Sequence, residues 1–168
     1  KSKPSPIYSK RFAALIETGN FDDDLPRIAD CDWIIEAIVE RLDIKNQLFE
    51  RVEQHRKPGT FITSNTSGIP MAVLTQGRSE DFRKHFCGTH FFNPPRYLQL
   101  LEIIPGPDTL SEVLDFFVAY GEQILGKESV ICKDTPAFIA NRVGVFAIQA
   151  LFHAVEDMGL SVEAVDKL

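Results

Sequence analysis

No two glycines stand two residues apart anywhere in the 168-residue chain, so the Gly-x-Gly-x-x-Gly turn that cradles a pyrophosphate is absent. Cysteine is scarce: Cys31, Cys87 and Cys132 are odd in number and widely spaced, with no Cys-x-x-Cys pair. That pattern argues against a disulfide framework and for a reducing compartment. No apolar run approaches the roughly 18 residues of a membrane helix, and Lys1 to Lys10 lacks the apolar core of a signal peptide. The net charge is −6, and no cluster of Lys and Arg interleaved with aromatics offers a nucleic-acid surface. The expectation is a soluble, cytoplasmic protein with neither nucleic-acid nor membrane partners. Residue 1 is Lys rather than Met, which suggests a chain that is processed, cut or part of something longer.

What is present suffices for one globular unit, since 44% of the residues are hydrophobic and 25% charged. Tyr8 to Thr18 places Phe12, Leu15 and Ile16 on one helical face. Asp24 reads as the cap of a short helix whose first turn holds Leu25-Pro26. Asp22, Asp23 and Asp24 lack the spacing of a calcium loop. Trp33 to Val39 is an apolar run broken by Glu36, as in a strand covered on both faces. Leu42 to His55 is an amphipathic helix, followed by a strand at Thr60 to Ser64 and a polar turn leading through Pro70 into a short helix. This alternation predicts a parallel sheet wound with crossover helices. Cys87 to Phe92 and Leu98 to Ile104 read as strands around the Asn93-Pro94-Pro95 corner. A helix at Ser111 to Leu125, a strand at Glu128 to Cys132, and a long helix opening at Asp134-Thr135-Pro136 complete the pattern. The long helix is apolar on more than one face, so it should be buried or packed between partners, and Ser161 opens one more helix.

Ligands of open α/β sheets gather beyond the carboxyl ends of the strands. Polar residues stand there in order: Glu40, then Ser64 to Ser67, then His90 with Asn93, with Glu102 on the neighbouring strand. His90 and Glu102 could form a general-base pair in which the carboxylate fixes the imidazole tautomer and the other ring nitrogen faces a hydroxyl. Read bare, the same two residues also fit a surface histidine and a surface carboxylate. His85, Cys87 and His90 lack a fourth zinc ligand, and 90 points away from 85 and 87 on a strand, so no metal is expected.

Five segments then carry a resemblance: Val39-Glu-Arg-Leu-Asp-Ile-Lys45, Ser64-Asn-Thr-Ser67, Gly88-Thr-His-Phe-Phe-Asn-Pro94, Leu101-Glu-Ile103 and Lys133-Asp-Thr-Pro-Ala-Phe-Ile-Ala-Asn-Arg142. In this order and spacing they resemble the L-3-hydroxyacyl-CoA dehydrogenase family. Lys3-Pro-Ser-Pro-Ile-Tyr8 is similar to its longer bacterial members. The resemblance implies oxidation of an L-3-hydroxyacyl-CoA to the 3-ketoacyl-CoA with NAD, in fatty-acid β-oxidation. It gives His90 the role of base and Glu102 that of its orienting partner. Ser67 and Asn141 would then lie at the reacting oxygen, and Glu40, Lys45, Ser67 and Asn93 at the cofactor. Read without the family, Lys45 is a solvated helix charge and Ser64 a turn hydroxyl satisfying the backbone.

The implied fold is α/β: residues 1–134 a partial Rossmann-like NAD-binding domain without its first strand and glycine-rich turn, and residues 135–168 the start of an all-helical domain for substrate and dimerisation. Negligible turnover by the 168 residues alone and a homodimeric intact enzyme are the matching expectations. Two other readings stay open, a non-catalytic binding or assembly module and a sibling dehydrogenase acting on a free hydroxy acid.

Overall fold

A computed structural model describes residues 3–167. Five strands form one sheet in chain order: β1 (Trp33–Glu36), β2 (Phe61–Ser64), β3 (Phe86–Phe91), β4 (Leu100–Pro105) and β5 (Glu128–Ile131). Neighbours run parallel except β3 and β4, which are antiparallel across the proline corner. Crossovers are made by α1 (Leu42–His55), then α2 (Met71–Leu74) with α3 (Glu80–Lys84), and α4 (Ser111–Gln123). The fold is the expected Rossmann-like one, and helices α5 (Ala140–Asp157) and α6 (Val162–Val165) follow the sheet.

Strand side chains alternate between faces, so the pairing register sorts them into two cores. Ile62, Phe86 and Ile104 share one face with Phe49 of α1, Met71 and Leu74 of α2 and Phe82 of α3. Cys87, Leu101 and Ile103 share the other with Val113 and Phe117 of α4. Each fully buried aromatic or aliphatic side chain contributes about 1.5–3 kcal/mol to holding a helix on its face. Gly88 belongs to the first face, where an added Cβ would meet Ile104 and Met71 Sδ at 3.1 Å, so α2 can lie close to the sheet. Gly126, with φ +63, closes α4 in the left-handed conformation that glycine adopts freely.

Several expectations need correction. Residues 8–18 form only a short 3-10 helix, Lys10–Leu15, with no buried side chain, because no surface of the described chain packs against Phe12, Leu15 or Ile16. Asp24 does precede the 3-10 helix Leu25–Asp30, yet its carboxylate accepts from Asn20 N at 2.8 Å instead of capping. The strand expected to run to Val39 ends at Glu36, and Ile35 (48% exposed) shows that its second face is not covered. β1 is the edge of the sheet. α5 begins at Ala140 rather than beside Pro136, since Ala137 (φ +64) and Phe138 (φ +46) take left-handed conformations that interrupt a helix. Asp134 instead accepts from Ala72 N, tying this loop to α2. Finally, α5 is not buried within the described chain: Val143, Phe146, Leu151 and Phe152 are exposed.

Candidate active site

β3 and β4 place His90 directly opposite Glu102 on one face of the ladder. Opposed side chains in an antiparallel pair lie within reach of each other. His90 Nδ1 is 2.7 Å from Glu102 Oε2, with Glu102 fully buried and His90 nearly so. An ionised carboxylate only accepts, so Nδ1 carries the proton and Nε2 of the neutral ring is an acceptor. Nε2 meets the Ser67 hydroxyl at 3.0 Å. Ring contacts with Phe92 and Phe138 at 4.6 and 5.5 Å fix the imidazole plane.

The second carboxylate oxygen, Glu102 Oε1, accepts from Ile139 N at 3.0 Å and Ala140 N at 2.8 Å. The left-handed pair Ala137 and Phe138 thus turns the first amides of α5 onto Glu102 and the Phe138 ring onto His90. A carboxylate at a helix N-terminus also favours the helix dipole. Backbone strain of this kind, about 1–3 kcal/mol per residue, persists where surrounding contacts over-determine it.

Ser67 lies on a turn held from below by Glu40. Ser67 N and Gly68 N donate to Glu40 Oε1 at 3.1 and 3.2 Å, as does the Thr66 hydroxyl. Glu40 Oε2 is 3.3 Å from Lys45 Nζ. Burial by itself raises the Glu40 carboxyl, but the Thr66 hydroxyl, the Lys45 ammonium and the Ser67 amide outweigh it and leave it below its ordinary 4.5. A depressed carboxyl contributes fully above its unfolded value and loses that contribution as pH falls through the folded one. The Ser67 and Gly68 amide resonances should therefore move on acidification with a midpoint below 4.5. A transition centred above 4.5 would contradict this hold.

Lys45 is not the solvated helix charge that α1 suggested. It is 1% exposed, bonded to Glu36 Oε1 at 2.7 Å and to Ile38 O at 3.4 Å. Ser64, read as a turn hydroxyl, does accept from Thr66 N at 3.2 Å and also donates to Glu36. Glu36 itself was missed, although its charge inside an apolar run was the available signal. Asn141 stands on the first turn of α5, next to the two amides on Glu102, and forms no hydrogen bond to His90 or Ser67 among the described residues. Asn93 is exposed on the corner three residues beyond His90. Cys87 is held protonated by burial, and Cys132 is pushed up to about 11 by burial and the Glu102 charge, so neither supplies a thiolate. Among the described residues no cluster could hold a metal ion, and no helix is long and apolar enough to cross a membrane.

The family model described as "3-hydroxyacyl-CoA dehydrogenase, NAD binding domain" matches residues 2–135. The chain belongs to this family. A Bacillus subtilis protein named "Probable 3-hydroxyacyl-CoA dehydrogenase" is 46% identical over the whole of this chain and 21% of its own length. A Deinococcus radiodurans protein of the same name is 47% identical over the whole chain and 49% of its own length. The chain thus spans about half, or less, of these relatives. Among solved structures, 3-hydroxybutyryl-CoA dehydrogenase from Escherichia coli is 34% identical with a TM-score of 0.70, covering 79% of this chain and 28% of that one. (S)-3-hydroxybutyryl-CoA dehydrogenase from Ralstonia eutropha is 29% identical with a TM-score of 0.75, covering 83% and 48%.

NAD is the cofactor the family description names. The donor set of this chain fits its reacting end, where the Ser67 hydroxyl lies beside His90 and the partly exposed Glu40 carboxylate holds the Ser67 turn. Nothing among the described residues forms a glycine turn for the pyrophosphate.

Proposed function

We propose that the polypeptide carrying this chain is an NAD-dependent L-3-hydroxyacyl-CoA dehydrogenase of fatty-acid β-oxidation. The observation that carries the reading is the His90 ring, with Nδ1 committed to a fully buried carboxylate and Nε2 turned to a hydroxyl. The substrate's 3-hydroxyl takes the place that the Ser67 hydroxyl occupies, and its proton passes to Nε2. Glu102, held in place by the two α5 amides, stabilises the resulting imidazolium. Ser67, displaced by one hydrogen bond, and Asn141 donate to the oxygen as it gains alkoxide character. NAD, when bound, accepts the hydride leaving C3. Glu40 and Asn93 would hold the cofactor, and Lys45 would serve it by supporting Glu40.

In this reading residues 1–134 are the cofactor-binding part and residues 135–168 the start of the helical part, whose exposed apolar helix contributes to a dimer. The intact enzyme is bacterial and cytoplasmic, and the 168 residues alone turn over negligibly.

Ser67, His90 and Glu102 also have the spacing of a hydrolase triad. A nucleophilic serine needs nearby amides to receive an oxyanion, and here the Ser67 and Gly68 amides are spent on Glu40. The deciding experiment supplies the full-length polypeptide with L-3-hydroxybutyryl-CoA and NAD. NADH should appear in step with the ketoacyl-CoA, without release of free coenzyme A. Thiol release without NADH would replace the reading with a thioesterase. Equal oxidation of free L-3-hydroxybutyrate would replace the substrate class, and binding without either product would leave a binding module.

A further inference from the structure

Glu36 is a buried carboxylate that the proposed proton transfer does not touch, and the register puts it in line with the site. Glu36 pairs with Ser64 across β1 and β2, and Ser64 with Gly88 across β2 and β3, two residues before His90. All four side-chain positions lie on the same face of the sheet as Glu102. The Glu36 side chain is 1% exposed and holds three donors: Lys45 Nζ and Ile38 N, both at 2.7 Å on Oε1, and the Ser64 hydroxyl on Oε2. Its backbone carbonyl accepts Asn65 N at 2.8 Å. Asn65 Oδ1 in turn accepts Phe91 N at 2.9 Å, beside His90.

The turn that presents Ser67 is therefore gripped at both ends. Glu36 fixes its first residues through Ser64 and Asn65, and Glu40 fixes residues 66–68. Lys45 ties the two carboxylates together from below, at 2.7 and 3.3 Å. A chain of partnered polar groups anchored on the buried Glu36, Lys45 and Ser64 is rigid, and removal of one member leaves its neighbours to find new partners. A merely structural ion pair would not need Ser64.

We propose that Glu36 is a positioning residue that sets the Ser67 turn, and through it the hydroxyl on His90, by way of Ser64 and Lys45. The inference deepens the dehydrogenase reading, since it concerns the same base, but it can fail or stand independently of that reading.

The test uses the full-length polypeptide with isotope-labelled histidine, comparing wild type with Glu36→Gln, Ser64→Ala and Ser67→Ala, and with Glu36→Gln combined with Ser67→Ala. The nitrogen-15 resonance of His90 Nε2 should move in each single variant as its hydroxyl partner is displaced or lost. The combined variant should move no further than Ser67→Ala alone, because both changes remove the same contact. If dehydrogenase activity is present, kcat/KM should fall about tenfold or more for Glu36→Gln and for Ser64→Ala. A His90 Nε2 resonance in Glu36→Gln and Ser64→Ala that coincides with wild type would overturn the proposal, leaving Glu36 as a core ion-pair partner only. Shifts that add in the combined variant would overturn it equally. The resonance shift needs no turnover, so an inactive wild type would sink the dehydrogenase reading and leave this inference standing. Should Glu36→Gln fail to fold, Ser64→Ala removes only the hydroxyl link and still decides the matter.

Discussion

Replacing His90 by alanine in the full-length polypeptide lowers kcat with L-3-hydroxybutyryl-CoA by about a hundredfold or more, toward 10⁴-fold, while NAD affinity changes little. The size follows from what the ring does. With no imidazole, the 3-hydroxyl proton has no acceptor positioned by a buried carboxylate, since Glu102 lies one ring's breadth behind the place of Nε2 and its Oε1 stays tied to the two α5 amides. The fold should tolerate the change, because the lost ring leaves Glu102 still bonded to the two α5 amides. Initial-rate kinetics with a parallel NAD titration decides it. Turnover of the variant within threefold of wild type would remove His90 from the chemistry.

Lys45→Met is expected to destabilise the folded state by about 3–5 kcal/mol, a large share of the roughly 5–15 kcal/mol that holds a domain together. Methionine fills the space, yet Glu36 would then sit 3% exposed without the Lys45 cation. The cost comes from the stranded charge rather than from lost attraction, since desolvating two ions largely cancels their Coulomb gain. Pairing the change with Glu36→Gln should recover most of the loss, because no net charge remains inside. The urea midpoint of each single variant and of the pair measures this. A Lys45→Met midpoint equal to wild type would mean that the ammonium is not buried in solution.

The parts of the molecule governed by short-range pattern were readable from the chain. The α1 helix shows its apolar stripe at Ile44, Leu48, Phe49 and Val52, and the strands appear as short apolar runs between turn signals. The corner of Asn93, Pro94 and Pro95 announced a reversal, and β3 and β4 do return antiparallel with His90 across from Glu102. What the chain concealed depends on long-range placement. Lys45 looks like any exposed lysine on an amphipathic helix until the sheet lies beneath it with Glu36 facing up. Asp134-Thr135-Pro136 has the residues of a helix start, but the α5 amides are claimed by a carboxylate more than thirty positions earlier, and the helix waits for them. Glu36 was visible as a misfit in an apolar run. Its meaning required the register that sets it beside Ser64.

The His90 and Glu102 pair is set by strand register and not by the loop that joins the strands. A slip of one residue in β3 against β4 would turn one of the two to the opposite face, among Cys87, Leu101 and Ile103. The stretch 95–99, by contrast, can lengthen or shorten without changing which strand side chains face each other. This corner tolerates a change in length, while β3 and β4 tolerate substitution only.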